Sequence, residues 1–294
     1  MYKKELNCPI CGTKNLHYYC SGKDRFIVGT EKYDISICND CKLGITNIKI
    51  DDMFFKKAYP DSYYKDVLTL GEQLRDVSPQ LSFIEQKVHL NSNNQKVLEI
   101  GCSDGSLLYY LKKQGLSTFG VEPGTYAFNI AVRRGIRVKK TLDDIEERNF
   151  SLILMFDVLE HCPNPINELT RIRELIAQDG MIILGVPNFS SLESRITKSG
   201  WFGLEIPRHL FHFSPKAIKK AALVSGLDMI GIHFSRNGFF VKSFVDERLP
   251  NKTRFDRLVR KKNVRRLLSI IENVLYLFGN KPYMYVLLRK KAGE

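Results

Sequence analysis

Four cysteines, three histidines and a few acids carry most of the chemistry available to this chain. Cys8-Pro-Ile-Cys11 and Cys38-Asn-Asp-Cys41 form a C-x2-C-x26-C-x2-C arrangement. Each pair can set two thiolates on one turn, and two such turns close a tetrahedral Zn²⁺ site. Four thiolates leave no open coordination position, so the zinc would be structural: a staple for a segment too short to build its own core. The alternatives, two disulfides or free thiols, are set against an N-terminus, MYKKELNCPICG, that has no apolar core of the signal-peptide kind. Cys20 is left over and reads as a packed thiol.

A second stretch suits a nucleotide. Lys96 to Gly105, KVLEIGCSDG, is a short apolar run ending at glycine, which reads as a buried parallel strand entering a tight turn, with a helix following from Leu107. Backbone N–H groups at such a turn point toward a ligand. About twenty residues on, a second strand closes at Glu122, where a carboxylate can accept from both hydroxyls of a ribose. The turn is E-x-G-x-x-x-G, through Glu99, Gly101 and Gly105. It is neither the dinucleotide G-x-G-x-x-G nor the phosphate-binding G-K-[ST] pattern. Together with Glu122 it resembles the nucleoside-binding signature of class I S-adenosylmethionine (SAM) dependent methyltransferases. That resemblance implies a cofactor site at Glu99, Gly101, Ser103, Asp104, Gly105, Glu122 and Pro123. It adds Leu142 beside the adenine, and Phe156 and Asp157 on the same rim.

Phe156-Asp-Val-Leu-Glu-His161-x-Pro-x-Pro resembles the matching segment of a broad methyltransferase group. The group includes ubiquinone-pathway O-methyltransferases and enzymes of surface-polysaccharide and modified-sugar synthesis. Downstream, His209-Leu-Phe-His212-Phe-Ser resembles zinc-containing nucleotide-sugar C-methyltransferases, in which the positions matching His209 and His161 lie at the active site. Those enzymes carry a further C-terminal domain for which 294 residues are not expected to leave room, so the resemblance is not expected to carry over their substrate or a carbon acceptor. Methyl transfer needs the acceptor aligned with the sulfonium carbon and its proton removed, and histidine suits proton removal near neutral pH. His209 is therefore the expected base, with His161 and Glu160 as partners, while His212 between two phenylalanines reads as packing. Asp157, Glu160 and His161 stand at i, i+3 and i+4, which on one helical turn would form a face for a divalent cation with His209. That second cation is the less favoured mechanism.

The elements that must position these groups can be read in order. Residues 1–50 read as a zinc ribbon, with short strands at Phe26 to Gly29 and Tyr33 to Ile37. Residues 51–92 read as an aromatic and helical linker or lid, carrying Phe54, Phe55, Tyr59, Tyr63 and Tyr64 and a helical lead-in over 67–90. Residues 93–294 read as an α/β domain: a doubly wound, seven-stranded, mostly parallel sheet. Its strands are expected at 96–100, 117–121, 137–140, 150–158, 181–187, 227–234 and 283–289, the last as a reversed hairpin. Ile166 to Ala177 is expected as a helix stopped by Gly180, Asn188 to Gly203 as a loop over the substrate, and Ser214 as the cap of a helix reaching Ser225.

Lysine and arginine exceed the acids by 45 − 32 = 13, so anionic partners are favoured, although no aromatic-rich nucleic-acid motif accompanies them. Much of the surplus lies in Arg248 to Arg266 and in the tail Arg289-Lys290-Lys291; the first belongs to an insertion at 246–280 whose apolar residues recur at helical spacing beside Arg257, Arg260, Lys261, Lys262, Arg265 and Arg266. Such a helix can lie on an anionic membrane, pack on its own domain or form a homodimer. No apolar run reaches the roughly 20 residues of a membrane span. The expectation is a cytoplasmic protein, monomer or homodimer, peripheral at the inner membrane face if the insertion touches lipid. Its activity is expected to be SAM-dependent methylation of a small polar acceptor, anionic or glycosidic, in polysaccharide biosynthesis. A quinone or other aromatic hydroxyl is the second choice, and a non-catalytic SAM-binding or zinc-ribbon interaction protein the rival of another class.

Overall fold

The computed structural model describes residues 7–24, 31–51, 54, 58–59, 74, 76–88, 95–236, 243, 261–278 and 281–291. The expected strand at 26–29, the aromatics at 55, 63 and 64, and residues 246–260 of the insertion lie outside these.

The N-terminal segment forms β1 (Leu16–Lys23), β2 (Lys32–Cys38) and β3 (Gly44–Asn47), joined antiparallel in that order. Its fourth strand comes from far along the chain. β9 (Phe211–His212) pairs with β3, Gly44 opposite His212 and Ile45 opposite Phe211. The ribbon is thus completed by the segment that carries His209.

The main sheet contains β4 (Lys96–Ile100), β5 (Ser117–Val121), β6 (Arg137–Lys139), β7 (Phe150–Phe156), β8 (Ile176–Pro187), β10 (Leu227–Ser235) and β11 (Tyr283–Lys290), in the order β10-β11-β8-β7-β4-β5-β6. β4, β5, β6, β7 and β8 run parallel, and β11 is antiparallel to both β8 and β10. The central strands read as almost continuous apolar runs because helices cover both faces. Leu98, Ile100, Ile153 and Met155 feed one core with Leu169, Ile172, Ala217 and Ile218. Val97, Leu152, Leu154 and Ile183 feed the other with Ile84, Leu107, Leu108 and Leu111. This period-2 division explains why both faces of one strand need apolar side chains. The ribbon's Cys8, Ile10, Leu43 and Ile45 belong to the first of these cores, so ribbon and sheet domain share one hydrophobic interior.

Helices α1 (Ser78–Lys87), α2 (Ser106–Lys113), α3 (Thr125–Arg133), α4 (Pro165–Leu175), α5 (Leu192–Thr197), α6 (Pro215–Val224) and α7 (Lys262–Phe278) complete the described elements. α4 and α6 start as their sequences dictate. Asn164 and Ser214 accept the Asn167 and Ala217 N–H groups, and a proline occupies the first turn of each.

Two expectations are corrected. The helix before β8 ends at Leu175, and Gly180 lies inside the strand, where a Cβ would sit 2.8 Å from the Phe150 carbonyl oxygen. Gly180 is therefore a close-approach glycine rather than a helix stop. Asn188 to Gly203 is not an open loop but α5 and two 3₁₀ turns, with Phe189 and Trp201 buried against Cys20 and Ile35 of the ribbon.

Candidate active site

Two turns at the carboxyl ends of β4 and β5 are tied by one side chain. Glu122, buried at the end of β5, accepts the Ser103 N–H at 2.9 Å through Oε2 and the Gly124 N–H at 2.7 Å through Oε1. Gly101 has φ +71°, and an added Cβ would lie 2.3 Å from Val158 Cγ2, which leaves glycine as the residue that fits. Ser103 also holds a left-handed φ of 51°, turning its N–H toward Glu122.

The remaining expected cofactor residues fall into different surroundings. Glu99 is buried at the end of β4, and Leu142 is buried at the head of a 3₁₀ turn closed by a Thr141–Asp144 capping box. Pro123 follows Glu122, its carbonyl accepting from Lys140 Nζ at 3.2 Å. Gly105 caps α2 at φ +73°. Asp104 departs from the expectation. Its carboxylate is buried against Arg134 at 2.6 Å and accepts from Ser106, so it ties the start of α2 to the end of α3. Phe156 meets Tyr285 edge-on, and Asp157 takes a left-handed φ of 54° and accepts the Tyr283 hydroxyl. Asp157 thus precedes the Leu159–His161 turn without joining it, and the expected i, i+3, i+4 face does not form.

Glu160, His161 and His209 do come together. Each contributes one ligand atom to a set lying within 4.8 Å of one another, and the two imidazole centroids are 4.6 Å apart. His209 Nδ1 stands 2.9 Å from the Gly203 carbonyl. A carbonyl only accepts, so Nδ1 carries the proton and Nε2 presents its lone pair. That Nε2 lies 3.9 Å from Glu160 Oε1 and 3.7 Å from Glu205 Oε2. His161 Nδ1 likewise faces the Arg208 carbonyl at 3.1 Å, with the Tyr59 hydroxyl at 2.8 Å. Both side-chain oxygens of Glu160 are buried and find no hydrogen-bond partner among the described residues.

Burial sets the protonation of this cluster. It pushes both His161 and His209 down to about 3, helped at His161 by the neighbouring His209. It pushes the Glu160 carboxyl well above its usual range, with the Asp157 charge adding to the effect. His212 is also held neutral by burial, its Nε2 lying 3.0 Å from Thr46 Oγ1.

Sequence reasoning did not mark Arg208, Glu205 or Thr46. Arg208 is fully buried, pairs with Asp24 at 2.8 Å and Glu205 at 3.2 Å, and donates to the Ala58 carbonyl at 3.5 Å. A lone arginine beside a histidine carries no spacing signal. Only the density of chemistry in Glu205-Ile-Pro-Arg-His209 could have drawn attention to it.

The four cysteines also converge. Cys8 and Cys41, and Cys11 and Cys38, stand 3.5 Å apart at sulfur, all as free thiols. Tetrahedral Zn–S bonds of about 2.3 Å separate sulfurs by roughly 3.8 Å, so the donor set fits that ion. The Cys41 thiol hydrogen-bonded to Cys8 pulls the latter's pKa down to about 5, so one thiolate is available near neutral pH.

This sheet order, with a glycine turn and an acid closing the next strand, defines a class I methyltransferase fold. Residues 70–231 match the family model described as a methyltransferase domain, and the chain belongs to that family. A ubiquinone biosynthesis O-methyltransferase of Salmonella paratyphi A is 25% identical over 166 residues, covering 48% of this chain and 66% of that enzyme. The fold is shared with Haemonchus contortus phosphoethanolamine N-methyltransferase 2 in complex with S-adenosyl-L-methionine. That pair has TM-score 0.54 and 12% identity, over 94% of this chain and 68% of the other. It is shared too with a SAM-dependent methyltransferase of Thermotoga maritima, at TM-score 0.51 and 15% identity, over 81% of this chain and 99% of the other.

Proposed function

We propose that the chain is a SAM-dependent methyltransferase acting on a hydroxyl of a small polar acceptor. The observation that carries this is the buried Glu122 carboxylate bridging the two rim turns at the carboxyl end of β5, the position from which an acid holds a ribose in nucleoside-binding sheets of this kind. Glu99, Gly101, Ser103, Gly105, Pro123, Leu142 and Phe156 complete the cradle, and Asp104 supports it from behind. In the reaction the acceptor oxygen attacks the sulfonium methyl carbon, the C–S bond breaks to release S-adenosylhomocysteine, and the acceptor proton passes to His209 Nε2. His209, fixed by Gly203, presents its Nε2 lone pair to this step; because burial lowers its proton affinity, the Glu205 carboxylate 3.7 Å from Nε2 is the group that would stabilise the protonated ring. His161 and Glu160 border the same point.

Among acceptors, an aromatic hydroxyl has the support of the curated relatives' names, and a sugar has that of the basic charge balance and the segment around His209. Calorimetric titration with SAM tests the cofactor. Methyl uptake from labelled SAM by a panel of catechols and nucleotide sugars tests the acceptor. No SAM binding by the wild-type protein would defeat the proposal.

A second reading concerns a cation. Two imidazoles that each donate Nδ1–H to a backbone carbonyl, facing a buried carboxyl group that finds no hydrogen-bond partner among the described residues, form the arrangement typical of metal ligands. Glu160, His161 and His209 would hold a divalent cation, which when bound would polarise the acceptor hydroxyl. Methyl transfer lost with chelator and restored by Mg²⁺ or Mn²⁺ would establish this reading over the simple base. We assign a structural Zn²⁺ to Cys8, Cys11, Cys38 and Cys41, expected as one ion per chain on metal analysis. α7, exposed and basic at its start, is assigned to an anionic membrane surface; among the described residues no helix is long and apolar enough to cross a membrane.

A further inference from the structure

Residues 208–212 run between the two halves of the molecule, and each half grips them by the backbone. On the sheet side, Leu210 N–H donates to the Glu160 carbonyl at 2.8 Å, and the Arg208 carbonyl accepts from His161. On the ribbon side, the Thr46 N–H donates to the Leu210 carbonyl at 2.9 Å, and Phe211 and His212 pair with β3. Thr46 Oγ1 stands 2.7 Å from the His209 carbonyl and 3.0 Å from His212 Nε2. A hydroxyl has one hydrogen, and the carbonyl can only accept it, so the Thr46 oxygen receives the His212 Nε2–H. One buried side chain therefore fixes the backbone of His209 and the tautomer of His212. Arg208, buried beside them, joins Asp24 of the ribbon to Glu205 below His209.

We propose that the cysteine-stapled ribbon is the positioning element of the methyl-transfer site, with Thr46 the residue through which it holds His209. The inference rests on reading His209 as the base. It gives the ribbon a task beyond its own stability: the strand that closes its sheet is the strap bearing the histidine. Thr46 and Arg208 touch neither acceptor nor methyl donor in this scheme and act through His209.

The test is nuclear magnetic resonance of ¹⁵N-histidine-labelled full-length protein, comparing wild type, Thr46→Val and Thr46→Ser, with SAM titrations and zinc content measured in parallel. Wild type should show His209 as the Nδ1–H and His212 as the Nε2–H tautomer. Thr46→Val removes the hydroxyl shared by the His209 carbonyl and His212 Nε2 and should shift both signals, while SAM affinity stays within about twofold and zinc content is unchanged because Thr46 touches neither site. Thr46→Ser should restore both. Stripping zinc from wild type with a zinc-selective chelator, with Mg²⁺ kept in excess so that the Glu160, His161 and His209 set sees no change of metal, should move the same two signals, which covers the case in which Thr46→Val fails to fold. Histidine signals unmoved by either treatment would overturn the proposal. Failure of wild type to bind SAM with the two tautomers in place would refute the cofactor reading and leave the positioning intact.

Discussion

Glu122 shows how much one carboxylate can be asked to do. It closes β5 and holds the Ser103 and Gly124 N–H groups, one on each oxygen. In Glu122→Gln an amide NH₂ would face one of those N–H donors, and the charge would go. Hydrogen bonds to charged groups contribute about 1.5–3 kcal/mol, so SAM affinity should fall roughly 10- to 100-fold by calorimetry; an unchanged Kd would remove Glu122 from the site. The buried histidines make a second prediction, for metal-free protein. His161 and His209 are depressed to about 3 and His212 falls well below its ordinary value, so below pH 6.5 the unfolded chain takes up protons that these folded sites refuse. Glu160 is raised and acts oppositely above pH 4.5, where the folded state keeps a proton that the unfolded state loses. The three histidines outweigh the one acid, so their contribution is complete above about pH 6.5 and is lost as pH falls from there toward about 3, with Glu160 opposing the loss only above pH 4.5. Urea midpoints should drop over that window, and His209→Gln should flatten the decline.

At the scale of elements, the Gly turn and the central strands were legible because their signals are local: an apolar run, a glycine and an acid within thirty residues of sequence. The partnership of β3 with β9 was not. Thr46 and His209 are 163 positions apart, and β9 has two residues, too few for any periodicity. Asp157 misled for a related reason: helical spacing assumes helical backbone, and its left-handed φ breaks the turn before Leu159. Asp104 stands inside the glycine turn, yet its charge is consumed by Arg134, and only coordinates reveal such a partner. Arg208 offers a test of how firmly ribbon and sheet are joined. Removing one member of a buried ion pair costs about 3–5 kcal/mol because the remaining charges lose their compensation. Arg208→Met, which keeps the apolar stem, should therefore lower the thermal midpoint by several degrees, and Asp24→Asn in the same chain should recover part of it. A midpoint equal to wild type would show that Asp24 and Glu205 find solvent instead.

For the whole molecule, the charge excess of 13 and the outward face of α7 belong together. Leu267, Ile270, Ile271, Val274 and Leu277 are all exposed, Leu277 by 75%. At 100° per residue they fall within an arc of about 120°, a continuous apolar stripe. Lys261, Lys262 and Arg266 are exposed at its start, and the helix's one acid, Glu272, is buried against Tyr276 on the inner side. Between two copies meeting on this face the charges would be cations alone, whereas an anionic bilayer complements both stripe and cations. The protein should therefore sediment with phosphatidylglycerol vesicles and far less with phosphatidylcholine, and binding should weaken as salt rises through the screening range. Leu267→Glu with Val274→Glu, both at exposed positions, should abolish sedimentation and leave SAM affinity unchanged. Equal recovery of both proteins in the supernatant, or elution of wild type at twice the monomer mass without lipid, would reassign the stripe to another partner.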